Sequence, residues 1–212
     1  MQDAYIVSAL RTPIGKKKGS LSGMHPADLG ASVLSATFDQ VDLDPGLVDD
    51  VIFGCVDTVG PQAGDIARTC WLAAGLPEHV PGTTVDRQCG SSQQAVHFAT
   101  QAVMSGTSDV VVAGGVQNMN MIPISYAMLA GQALGFTDPF SGSKGWVERY
   151  GTQEVSQFNS AHMIAEKWKI SREEMELFAF NSHQKAMRAI ESKVFSDEII
   201  SIGDFHVDET PR

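Results

Sequence analysis

Apolar positions alternate between two spacings along the first half of the chain. DAYIVSAL (3–10) is a short apolar run with β-branched and aromatic residues, and it predicts a first strand. RTPIGKKKGSLSG (11–23) is dense in Gly, Pro and Ser and predicts a loop. Over PADLGASVLSATFDQ (26–40), Leu29, Val33, Leu34 and Phe38 recur at helical spacing. DDVIFGCV (49–56) predicts a second strand. DIARTCWLAAGLP (65–77) predicts a helix capped by Asp65 and stopped by Gly75 and Pro77. GTTVDRQ (82–88) reads as a third strand. From Ser91 to Met104, Ala95, Ala99, Ala102 and Val103 share the face of a closely packed helix. SDVVVAGG (108–115) is nearly continuous in apolar residues, as in a strand buried on both faces.

This alternation predicts an α/β layered domain, with its first domain over residues 1–118. Beyond it, Met121–Gly151 is rich in Met, Gly, Pro and aromatics and has no period, which predicts irregular packed structure. Phe158, Ala161, Ile164, Ala165 and Trp168 then mark a helix. Ser171 with Glu174 forms a capping box that opens another, reaching about Ser192. DEIISIGDF (197–205) predicts a final strand. Residues 119–212 thus form a second, differently built region, and no internal repeat is visible.

Composition narrows the possible functions. With 43% hydrophobic and 19% charged residues, the 212-residue chain has material for a sizeable core. Its 15 basic and 25 acidic residues give a net charge of −10, which argues against a nucleic-acid binder with a broad basic footprint. The longest uncharged stretch, Val110–Thr137, is interrupted by Gln117, Asn118, Asn120, Pro123 and Gln132, whereas a membrane span needs about 20 predominantly apolar residues. The N-terminal sequence lacks a basic region followed by an apolar core, so no signal peptide is expected. Cys55, Cys70 and Cys89 form neither a CxxC pair nor an even set, which disfavours metal and disulfide readings. Reduced thiols in a cytoplasmic setting fit best.

Cys89 stands apart from the other two. It lies where a strand gives way to a helix and is followed by Gly90, Ser91 and Ser92. Backbone N–H groups at a helix start are unpaired, and the helix dipole adds partial positive charge there. Both effects favour a thiolate, and the same N–H groups could hold the oxyanion of an acyl intermediate. The competing reading is a buried structural cysteine, which suits Cys55 and Cys70. A nucleophile also needs a base. The candidates are His25, His79, His97, His162, His183 and His206, and none is placed by sequence spacing. His97 lies eight residues along the same helix, about 12 Å away.

VDRQCGSSQQAV together with SDVVVAGGVQNM resembles the thiolases, the acyl-CoA acetyltransferases. IVSALRTPIGKKKGSL, the run from DDVIFGCV to PGTTV, and AEKWKISREEMELFAFNSHQKAMRA extend the likeness over nearly the whole chain. The resemblance implies a thiolase-like α/β fold: a first α/β domain, part of the loop domain over 119–212, and no second repeat half. It implies Cys89 as acyl-thioester nucleophile, and Gln157 and Phe158 as substrate-binding positions in the lid. Acyl-CoA and CoA would be the partners, with CoA a substrate rather than a resident cofactor and no metal. The chain would belong to a homo-oligomer, dimeric or tetrameric.

Three departures qualify this. The family's Gly-His-Pro histidine, second Cys-x-Gly cysteine and Asn-Glu-Ala-Phe stretch do not occur in these 212 residues, so a missing C-terminal half would be needed for activity. Gln117 and Asn120 replace the Glu and Ser of Gly-Gly-x-Glu-x-Met-Ser. Ser156-Gln157-Phe158 stands where many members have His-Met-Gly. Two rival readings remain: a non-catalytic acyl-CoA-binding or assembly module on the same scaffold, and a condensing enzyme of fatty-acid or polyketide synthesis.

Overall fold

The structure is a computed structural model that describes residues 2–211. It packs as two units. The first runs to Met128 and resumes over Ser196–Thr210; the second is Leu129–Phe195. Composition changes at residue 119, but packing divides the chain later and returns the segment 196–210 to the first unit.

The first unit is built on three parallel strands, β1 (Asp50–Gly54), β2 (Gly82–Val85) and β3 (Val111–Gly115), in the order β2-β1-β3. The register aligns Gly54 with Val85 on one side and with Gly115 on the other, so all three strands end in one row. Parallel neighbours need crossover connections. Helix α2 (Ile66–Ala73) links β1 to β2, and α3 (Ser91–Ser105) links β2 to β3.

Alternation along β1 divides the faces. Val51, Phe53 and the following Cys55 join α1 (Pro26–Gln40) and α2 in the core, with Leu34, Ile66, Cys70 and Trp71 almost wholly buried. Trp71 packs edge-on to Phe38 at 5.6 Å and donates its indole N–H to Pro77 C=O at 2.8 Å, so its one polar atom is satisfied. Helix α1 starts where Pro26 follows His25, whose Nδ1 accepts the Ala27 N–H at 3.1 Å. Helix α2 starts at Asp65, as its sequence predicts. Gly54 turns toward α3, whose buried Ala95 and Ala99 permit close approach.

Three sequence expectations are corrected. Residues 3–10 form no strand: Tyr5, Ile6 and Val7 are 80%, 80% and 77% exposed, and no ladder partner is formed. A strand exists only through its neighbour, and here Gln2 and Ser8 reach Val103 and Gln40 by side-chain hydrogen bonds alone. Residues 197–205 make isolated bridges, Arg11 to Ile199 and Ile202 to Phe205, because a turn at Gly203 (φ 58°) folds the run back on itself. Strand β3 is half-buried rather than buried on both faces, since it lies at the sheet edge.

The segment 196–210 is fixed to the loop at residues 11–20 by charge. Arg11 and Asp208 form a two-pronged ion pair at 2.7 and 3.0 Å, and Asp208 Oδ1 also accepts the Ile14 N–H at 2.8 Å. Glu209 accepts the N–H groups of Lys16 (3.0 Å) and Ser20 (3.1 Å). Asp57, buried at φ 56°, accepts the N–H groups of Ser125 (2.9 Å) and Ala127 (2.8 Å) and so fixes the start of α4 (Tyr126–Leu129).

The second unit carries α5 (Lys144–Tyr150), α6 (Gln157–Trp168) and α7 (Arg172–Glu191). Trp146 stacks on Phe140 at 4.4 Å and lies 4.7 Å from Tyr150, which orders part of the stretch whose sequence shows no period. The capping box at Ser171 and Glu174 has both of its hydrogen bonds.

Candidate active site

The row of strand ends, Val85–Gly54–Gly115, is where an open parallel sheet binds ligands. The crevice lies beyond the carboxyl ends, where successive crossovers leave in opposite directions. In the order β2-β1-β3 that point lies between β1 and β3. The start of α3 lies directly on it. A Cβ on Gly54 would come within 2.3 Å of Ser91 C and Ser92 N, and one on Gly115 within 2.1 Å of Ser92 Oγ. Only glycine at both strand ends lets the helix seat this closely.

Between Val85 and α3 the chain makes a tight elbow. Asp86 Oδ1 accepts the Gln88 N–H at 2.8 Å. Gln88 then takes the left-handed conformation, φ 48°, which is uncommon for a residue with a side chain. Gly90 N–H and Ser91 N–H return to the carbonyls of Arg87 (3.1 Å) and Gln88 (3.0 Å). Ser91 Oγ accepts the Arg87 N–H at 2.9 Å and donates to Gln88 C=O at 2.6 Å. The helical ladder begins with Gln94 N–H to Gly90 C=O at 2.9 Å, so the N–H groups of Ser92 and Gln93 precede it. Cys89 lies on this elbow with an exposed side chain.

The three cysteines differ in the way their sequence surroundings suggest. Cys55 and Cys70 are buried, and loss of solvation pushes their thiols up to about 11 and about 12. They are inert core sulfurs at neutral pH. The arrangement at Cys89 combines an accessible thiol, a helix start and a cluster of backbone N–H groups, which suits attack on a carbonyl and stabilisation of the resulting oxyanion.

Among the described residues of the first unit, no hydrogen bond joins Cys89 to a histidine. His25 caps α1, and the His79 ring nitrogen lies 3.0 Å from Gly46 C=O. His97 is on α3 two turns beyond the elbow. Of the others, His162 pairs with Glu166 at 3.0 Å along α6, and His206 contacts Asp204 C=O at 2.9 Å. Gln157 and Phe158 open α6 in the second unit, behind the Ser156 cap, with Phe158 88% exposed. Among the described residues no cluster of three or more His, Cys, Asp or Glu could hold a metal ion, and no helix is long and apolar enough to cross a membrane.

The sequence pattern did not single out Ser91, Gly54 or Gly115. Their one visible signal is the placement of small residues: a glycine ends each of two strands, and a serine stands two places after the cysteine. It also missed a buried link between Gln62 and Asn118. Gln62 Oε1 accepts the Asn118 N–H at 2.8 Å, and Asn118 Nδ2 donates to Met24 C=O at 2.8 Å, tying the segment after β3 to two loops. Next to it, Gln117 Nε2 is buried without a hydrogen-bond partner.

Residues 4–210 match the family model for the thiolase N-terminal domain. A steroid 3-ketoacyl-CoA thiolase of Mycobacterium tuberculosis is 58% identical over 216 residues, covering 100% of this chain and 53% of that protein. An acetyl-CoA acetyltransferase of Pseudomonas aeruginosa is 38% identical over 227 residues, covering 100% of this chain and 56% of that protein. The crystal structure of the Bacillus anthracis acetyl-CoA acetyltransferase matches with a TM-score of 0.75 at 32% identity, over 98% of this chain and 54% of that one. The chain thus spans about half the length of the curated relatives it matches. With a parallel α/β unit of this topology and a family match over nearly every residue, the chain belongs to the thiolase family and carries its N-terminal half.

Proposed function

We propose that this chain supplies the nucleophilic half of a thiolase that cleaves 3-ketoacyl-CoA, with Cys89 as the acyl acceptor. The supporting observation is the exposed thiol on the elbow before α3, at the carboxyl end of the parallel sheet. The Cys89 sulfur adds to the 3-keto carbon and the C2–C3 bond breaks. Its electron pair leaves on acetyl-CoA, which takes a proton. The shortened acyl group stays on sulfur as a thioester until the thiol of a second CoA displaces it. In the reverse direction the same thioester joins two acetyl-CoA molecules. The first half-reaction trades a C–C bond for the acyl–sulfur bond, and the second exchanges that thioester for acyl-CoA; neither changes an oxidation state, so the chemistry uses CoA as a substrate and calls for no resident cofactor.

We assign Gln157 and Phe158 of the second unit to binding the pantetheine arm; the exposed Phe158 ring offers an apolar surface for it. The name of the 58%-identical relative favours a steroid-derived acyl group over a short one. Cys89 has no hydrogen bond to a described histidine of the first unit, so we assign the acid–base groups of turnover to a second thiolase half, within a cytoplasmic dimer or tetramer. General acid–base groups contribute about 10²–10⁴-fold, so the 212 residues alone are expected to show only a trace of thiolysis.

Brief alkylation with limiting iodoacetamide, followed by peptide mass mapping, tests the assignment. Label is expected first on the peptide containing Cys89, with Cys55 and Cys70 shielded by burial. Cys89→Ala should abolish it and Cys70→Ala should not. Earlier modification of Cys55 or Cys70 in folded protein would favour the non-catalytic module instead.

A further inference from the structure

We infer that Ser91 is a positioning residue for the Cys89 thiol, a clip that holds the elbow in the one conformation that presents the sulfur off the end of α3. This rests on the reading of Cys89 as acyl acceptor. Ser91 is 3% exposed, and its hydroxyl spans Gln88: it accepts the Arg87 N–H (2.9 Å) and donates to the Gln88 carbonyl (2.6 Å). Gln88 is thereby held at φ 48°, a conformation that a side-chain-bearing residue keeps only when its surroundings impose it. Asp86 holds the Gln88 N–H from the other side.

The clip is in turn anchored to the sheet. A Cβ on Gly54 would lie 2.3 Å from Ser91 C and 2.7 Å from Ser91 Cβ, so the serine cannot retreat into β1 and its hydroxyl has a fixed origin. Cys89 sits between the clipped residue and the clip, and its direction follows from both. Alanine at 91 removes both side-chain hydrogen bonds while leaving the helix ladder from Gln94 onward intact. Gln88 is then free to return to negative φ, and the peptide joining it to Cys89 turns with it.

The decisive experiment follows the rate of Cys89 alkylation by limiting iodoacetamide in the wild-type chain, Ser91→Ala, Gln88→Gly and the double variant, with urea midpoints recorded alongside. Glycine populates positive φ without penalty, so at position 88 it needs no clip. Ser91→Ala is expected to slow Cys89 about tenfold, equivalent to about 1.36 kcal/mol of activation free energy. In the Gln88→Gly background the same substitution should change the rate by less than about twofold, a rescue that a general loosening of α3 would not give. Should Ser91→Ala fail to fold, the double variant carries the test: a rate near wild type supports the clip, and a tenfold deficit overturns it. Wild-type labelling that favours Cys89, with Ser91→Ala equally fast or equally impaired in both backgrounds, overturns the clip alone. Wild-type labelling that does not favour Cys89 overturns the acyl-acceptor reading and the clip with it.

Discussion

Replacing Gly54 with alanine adds one methyl group where β1 and α3 leave no space for it. The new carbon would stand 2.3 Å from both Ser91 C and Ser92 N, whereas an ordinary contact begins at 3.4 Å. The first turn of α3 would have to lift by about an ångström. Both obstructing atoms are backbone, so no rotamer change relieves the clash. Overpacking of a well-filled interior typically costs about 1–3 kcal/mol. A backbone obstruction on a fully seated helix belongs at the upper end, about 3 kcal/mol. With a urea m-value of about 2 kcal/mol/M, that moves the unfolding midpoint down by about 1.5 M. Gly23→Ala is the control within the same unit: nothing lies within 4 Å of its added carbon, and relief of unfolded-state entropy should stabilise by about 0.4–1 kcal/mol. The displaced helix start should also slow Cys89 alkylation, because the elbow is attached to it. A Gly54→Ala chain with a wild-type midpoint and wild-type Cys89 rate would refute the account of how α3 is seated.

Two further outcomes are expected. The Arg11 guanidinium, hydrogen-bonded to Asp208, holds that carboxyl below its usual range. A depressed carboxylate stabilises the fold above its unfolded pKa of about 3.9, and that contribution is lost as pH falls through the lower folded value. Arg11 is partly solvated, so Asp208→Asn should cost only about 1 kcal/mol at pH 7, with the gap closing in acid; a gap that stays constant in urea titrations down to pH 2 would contradict the assignment. At the start of α7, Ser171→Ala removes the acceptor of the Glu174 N–H (3.2 Å) and should cost about 1 kcal/mol locally, read as faster hydrogen exchange at residues 172–175 with α6 unchanged.

Helices were far more legible in the sequence than strands, and the reason is physical. A helix is specified by residues three and four apart, so the spacing of Leu29, Val33, Leu34 and Phe38 and the cap signals at Asp65 and Ser171 were enough to place α1, α2 and α7. A strand is specified by its partner. Tyr5, Ile6 and Val7 have strand-forming side chains yet join no ladder, while Val51, Ile52 and Phe53 become the central strand because both neighbours are present. In the same way, the residues at 196–210 rejoin the first unit through Asp208 and Glu209, contacts reaching back nearly two hundred positions that no local pattern encodes. Short aromatic contacts, such as Phe140 on Trp146, organise part of a stretch where periodicity is silent.

The candidate site divides along the same line. That Cys89 differs from Cys55 and Cys70 could be read locally, since only it stands between a strand and a helix and is followed by small residues. What seats it could not. Gly54 and Gly115 are far apart in sequence and meet only because β1 and β3 align in register, and each then becomes a position where any side chain would collide with the start of α3. The strain at Gln88, its clip at Ser91 and the glycine floor beneath are therefore one device assembled from three distant segments. An accessible cysteine is a property of a residue type in a local setting, but its placement is a property of the fold. Substitutions at Gly54, Gln88 and Ser91 should accordingly alter Cys89 together and non-additively, as neighbours sharing one contact do.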